Sequence, residues 1–109
     1  MGRRKAKTRR ADQLPLINGM TEDEVLQALE SVARQLDIEV RYEKGDFEGG
    51  YCAFRNQHLI FMQKNEPIDK KIQVLVRELH RFDLEQIYVL PAIRELLETK
   101  GELLEHNVQ

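Results

Sequence analysis

Ile38-Glu39-Val40-Arg41-Tyr42-Glu43 alternates apolar and charged side chains without a break. A period of two marks a strand with one face on a core and the other in water. The residues before it keep a different period. Val25, Leu26, Leu29, Val32, Ala33 and Leu36 recur at spacings of three and four, the single stripe of an amphipathic helix. The change of period at Leu36 therefore places a helix directly before a strand and decides for a mixed α/β composition. The helix start is equally marked. Thr21-Glu22-Asp23-Glu24 spells a capping box with Thr21 as N-cap. Met20 and Val25 can staple it, and the three acids complement the positive end of the helix dipole.

Beyond Glu43, Lys44-Gly45-Asp46 and Gly49-Gly50 punctuate a loop. Tyr51 to Arg55 and His58 to Gln63 read as two further strands joined at Asn56-Gln57, a turn that would set His58 opposite Arg55 and Cys52 opposite Phe61. A second helix opens near Pro67, which suits a first helical turn. Its stripe is Ile68, Ile72, Leu75, Val76, Leu79 and Phe82. Residues 83–90 fit either more helix or an extended link. Pro91 opens a third helix with Ile93, Leu96 and Leu97 inward, Gly101 past its end and residues 102–109 frayed. The expectation is an α+β domain: an N-terminal helix, a small antiparallel three-stranded sheet, and two C-terminal helices packed on one face.

The 109 residues suit one compact domain, here 13–109, without disulfide staples. Six of the 17 Lys and Arg (Arg3, Arg4, Lys5, Lys7, Arg9 and Arg10) fall within residues 1–10, which hold no acid. The other 11 face all 19 Asp and Glu, so residues 11–109 carry a net charge of −8 behind a basic stretch of +6 at residues 1–10. Residues 1–12 have too little apolar content to offset ordering entropy and read as disordered. Residues 13–20 connect the arm to the first helix, with Leu14, Leu16 and Ile17 available to the core. No apolar run is long enough to span a bilayer, and no apolar segment follows the arm as in a secretory signal. The single cysteine, Cys52, excludes an internal disulfide and fits a reducing cytoplasm.

The stretch that bears on chemistry is Arg77-Glu78-Leu79-His80-Arg81 on the second helix. From Gly49 to Phe82, about a third of the chain, the arrangement resembles the core of small zincin-type metallopeptidases. It has a Gly-rich lead-in, a hairpin ending in Leu59-Ile60-Phe61-Met62, a linker with Pro67, and a helix carrying Val74-Leu75-Val76-Arg77-Glu78-Leu79. That family's helix commonly reads H-E-L-G-H. Glu78 matches its catalytic glutamate and Leu79 the residue after it. Arg77 and Arg81 stand where the two zinc ligands would be, and His80 where the glycine would be. The resemblance implies the family's fold and speaks against its activity. Arginine stays protonated and cannot ligate zinc. Without metal, a water keeps a pKa too high to attack an amide.

Glu78 and His80 point about 200° apart around the helix and cannot act on one substrate. The motif remnant Arg77, Glu78 and Arg81 is then expected as a solvated, salt-bridged helix face. His58, His80 and His106 are scattered, with no paired spacing to hold a metal with Cys52 or an acid. Cys52 reads as a small buried hydrophobe, with His58 the only base in reach for a nucleophile. Gly45, Gly49 and Gly50 lack the following Lys-Ser or Lys-Thr of a phosphate loop. No catalytic residue, metal or cofactor is called for. The expected function is a non-enzymatic domain acting by protein–protein contact, with another protein or as a homodimer, through Arg77, Glu78, Arg81 and the hairpin edge at Tyr51 to Arg55. Two alternatives stand beside it. One is an accessory role at nucleic acid through the basic arm, whose six cations would give salt-sensitive affinity. The other is a metal-dependent hydrolase with an unrecognised ligand set.

Overall fold

A computed structural model describes residues 19–106. They form α1 (Glu22–Gln35), β1 (Ile38–Glu43), β2 (Gly50–Phe54), β3 (Gln57–Gln63), α2 (Ile68–Leu79) and α3 (Pro91–His106). This is the expected α+β order. The basic arm (Arg3, Arg4, Lys5, Lys7, Arg9 and Arg10) and the segment with Leu14, Leu16 and Ile17 lie outside the described residues. No described helix is long and apolar enough to cross a membrane.

The capping box forms as the sequence dictates. The Glu24 backbone N–H donates to Thr21 Oγ1 at 3.1 Å, and the Thr21 N–H donates to Glu24 Oε1 at 2.9 Å. At the other end of α1, Asp37 takes a left-handed backbone with φ of 62°. A short polar side chain tolerates that conformation, and the reversal delivers the chain straight into β1.

The sheet order is β1-β3-β2, with β1 parallel to β3 and β2 antiparallel to it. It is therefore mixed, and the expectation of a purely antiparallel sheet is corrected. The reason lies in β3. Its run Leu59-Ile60-Phe61-Met62 is apolar on both faces, the composition of a central strand rather than an edge. Residues 44–49 carry the chain past the central position, β2 takes the far edge, and the hairpin returns β3 into the middle alongside β1. The pairing runs from Ile38 opposite His58 to Glu43 opposite Gln63.

The hairpin loop is Arg55-Asn56, one position earlier than expected. Phe54 faces Gln57, Ala53 faces His58, and Cys52 faces Leu59. With no glycine available, the left-handed backbone that a two-residue loop needs falls on Arg55, at φ 52°. The correction moves pairing by two residues along β3, so every side chain keeps its face.

One core joins the layers. Ile38, Ile60 and Met62 on the sheet join Leu29 and Val32 of α1 and Ile72, Leu75 and Leu79 of α2 in one cluster, which α2 and α1 extend to Ile93 and Leu97 of α3. α1 and α2 lie on that face, and α3 packs against α2 and α1 rather than on the sheet itself, which corrects the expectation that both C-terminal helices cover it. α3 does not stop before Gly101 but runs through it, and residues 102–106 remain helical rather than frayed. A Cβ on Gly101 would sit 2.3 Å from His80 Cγ and 2.4 Å from its Cβ. Gly101 is thus a crossing point with the end of α2, not a terminator. Residues 83–90 form an irregular link with Leu84 and Val89 buried. Gln35 at the end of α1 holds it: its amide donates to Tyr88 O at 2.9 Å and accepts from Tyr88 N–H at 3.1 Å.

Candidate functional site

The sequence singles out α2, and its last turn carries a charge cluster at the junction with the sheet. Glu78 is only 6% exposed and is the one buried charged residue among those described. Arg77 Nε donates to its Oε2 at 3.0 Å, and Arg81 Nη1 lies 3.3 Å from its Oε1. The i, i+3 pair with Arg81 is the expected one. The pair with Arg77 is not, because neighbours on a helix point apart. The Arg77 guanidinium reaches Glu78 all the same, and its terminal Nη2 donates to Gly49 O at 2.9 Å.

The expectation of a solvated face therefore fails at two of its three residues. The side chains of Arg77 and Glu78 are 18% and 7% exposed, against 46% for Arg81. The physical reason is Gly49. A Cβ there would come within 2.5 Å of Phe61 O and 3.3 Å of Val74 Cγ1. The missing side chain lets the entry to β2 lie against α2, which covers the Arg77–Glu78 pair. A carboxylate buried this way is tolerable because both oxygens are matched to guanidinium donors. Gly49 is the residue that sequence reasoning read only as part of a turn. Its signal was its place in a Gly-Gly pair just before a strand.

Arg77 also forms part of the wall of a cleft of about 380 Å³ between α2 and the approach to β2. Met62, Val74 and Leu104 give it apolar surface, while Lys70, Lys71 and Glu66 give it charge. Nearby, the Tyr42 hydroxyl donates to the Glu30 carboxylate, and Lys71 Nζ stands 5.2 Å from the Tyr42 ring centroid. Burial, then that hydrogen bond and the charge of Glu30, hold the phenol well above its ordinary range. This contact ties α1, β1 and α2 together and had no sequence signal beyond the strand alternation.

The histidines do not converge. His58 pairs its Nδ1 with the Tyr51 hydroxyl, and Tyr51 in turn meets Phe82 edge-on. His80 closes α2 and packs beside Gly101. The His106 side chain is outside the described set. Among the described residues no group of three or more His, Cys, Asp or Glu is placed to hold a metal ion. Cys52 is exposed rather than buried. It stands opposite Leu59, while His58 stands opposite Ala53, so thiol and imidazole lie on opposite faces of the sheet.

Comparisons with family models, curated proteins and solved structures return no match. The site is therefore read from its own chemistry.

Proposed function

We propose that this chain is a non-enzymatic domain of the reducing cytoplasm that works by protein–protein contact, on a layout like a minimal zincin core whose ligand positions have become arginines. The observation that supports it most is the state of Glu78. A catalytic glutamate on such a helix needs an accessible oxygen beside a bound water. Here both oxygens are held by Arg77 and Arg81 under the cover of the Gly49 backbone. Glu78 then serves to fasten α2 to the entry of β2. That fastening presents the edge of β2, where Tyr51 and Ala53 offer their outer backbone groups, as a template for another strand.

The test is site-specific photo-crosslinking in cells. A crosslinker at exposed Ala53 is expected to give discrete adducts, and one at exposed Glu98 on α3 is expected to give none. Equal, diffuse labelling from both positions would remove the support. Stoichiometric zinc in protein purified without an affinity tag would also overturn the non-enzymatic reading.

A further inference from the structure

The two edges of the sheet are built differently. β1 places Glu39, Arg41 and Glu43 on the face away from the helices. Charges of that kind are how edge strands avoid other chains. β2 reads Gly50-Tyr51-Cys52-Ala53-Phe54, with no charge, no proline and no bulge. Its outer face carries Phe54, 60% exposed, and the exposed Cys52.

The strand is also self-complementary. A two-residue loop closes on a hydrogen-bonded pair, here Phe54 with Gln57, and such pairs alternate along an antiparallel ladder. Phe54, Cys52 and Gly50 therefore spend their backbone groups on β3. Tyr51 and Ala53 aim theirs outward. A second β2 running antiparallel, with its two-fold axis at Cys52, sets Tyr51 opposite Ala53 of the second copy and Ala53 opposite its Tyr51. Both become hydrogen-bonded pairs, and no outward group of the strand is left over.

The side chains obey the same axis. Phe54 falls opposite Gly50 of the second copy, where a glycine leaves open space beside an aromatic. Next to Gly50 is a shallow depression of about 390 Å³, bounded by Phe47, Phe61, Cys52 and the acids Glu43 and Glu48. Arg55, whose guanidinium lies 5.1 Å from the Phe54 ring centroid, travels with that ring towards those acids. An aromatic knob, an apolar depression and matched charges recur twice about one axis, the mark of an isologous contact.

We infer that the occupant of the β2 edge is a second copy of this chain, paired antiparallel about Cys52 into a six-stranded sheet. This rests on the contact reading above and names its partner. A pairing only five residues long on each side is a small interface, so the dimer forms and dissociates with concentration rather than being permanent.

The experiment is sedimentation velocity of the full chain over a concentration series, with C52S, C52K and C52E. The parent and C52S are expected to dimerise. C52K and C52E alone place like charges across the axis and should weaken dimerisation several-fold. An equimolar mixture of the two should restore it, which also shows that both variants fold. Diamide should join the parent dimer, taking two electrons and two protons from the Cys52 thiol pair as it is reduced to its hydrazine. A non-hydrogen-bonded pair has the spacing that a disulfide needs. A parent that stays monomeric, or a dimer indifferent to lysine at position 52, overturns the inference. If the Ala53 crosslinker then captures a different protein at a discrete site, only the second copy is lost. If it captures nothing, the contact reading falls with it.

Discussion

Replacing Glu78 by alanine separates a structural carboxylate from a catalytic one. The substitution strands Arg77, whose side chain is 18% exposed, with only its bond to Gly49 O. Losing a charge-assisted bond at that depth costs about 1.5–3 kcal/mol. The Arg81 contact, on a side chain 46% exposed, adds about 0.5 kcal/mol as a near-surface pair. The sum is about 2–3.5 kcal/mol, equivalent to a drop in melting temperature of about 10 °C or more for a domain of this size. The comparison variant Arg81→Ala should lose less than about 1 kcal/mol. Far-UV circular dichroism during urea and thermal unfolding measures both. The chain has no tryptophan, so tyrosine emission serves as the second probe. A glutamate maintained for chemistry at the expense of stability would give the opposite sign, with the alanine variant as stable as the parent or more so. If Glu78→Ala costs no more than Arg81→Ala, the fastening role is refuted and the non-enzymatic reading loses its main support.

Three further outcomes are expected. Gly101→Ala should destabilise by about 1–3 kcal/mol through overpacking against His80, and a double-mutant cycle with His80→Gly, which removes the His80 Cβ 2.4 Å from the new methyl as well as the ring, should show that the two positions are coupled. The contribution of Tyr42 to stability should be fully present below the ordinary phenol pKa of 10.0 and be lost as pH rises above it, because folded Tyr42 holds its proton more tightly than the unfolded chain does. Tyr42→Phe should remove most of that alkaline loss, as followed by urea titrations at several pH values. If the basic arm engages nucleic acid, the full chain should bind duplex DNA or mixed RNA with affinity falling steeply in salt. The chain lacking residues 1–12 should not bind, and equal binding by both would place the contact elsewhere.

What the sequence made legible was local. The Thr21–Glu24 box and the α1 stripe depend on residues within two turns of each other, and both form as expected. The alternation from Ile38 to Glu43 likewise fixed a strand and its faces. The parallel pairing of β1 with β3 was not legible, because it depends on where residues 44–49 carry the chain. The apolar run of β3 nonetheless held the hint that this strand is central. The hairpin slipped by one position because no glycine marks the left-handed residue, so the loop settled on Arg55. Gly101 misled for the opposite reason. A glycine near a helix end is usually a stop, but here it answers the bulk of His80 from another helix. The candidate site was half readable. The cluster of Arg77, Glu78 and Arg81 could be named, while its burial required knowing that Gly49, 28 residues from Arg77, would be pressed against α2.

The paired bonds between Gln35 and Tyr88 divide the connection from α2 to α3 into segments with different freedom. A single side chain acts as a peg, fixing residue 88 while leaving its own ring 69% exposed. Upstream of the peg, the exposed turn at Glu85 and Gln86 can be lengthened without moving either helix, since loop-closure entropy grows slowly with length. Downstream, only Val89 and Leu90 separate the peg from Pro91, so an added residue there would rotate α3 about its own axis and turn Ile93 and Leu97 out of the core. Tags and inserted peptides therefore belong between residues 85 and 86, where the chain has slack.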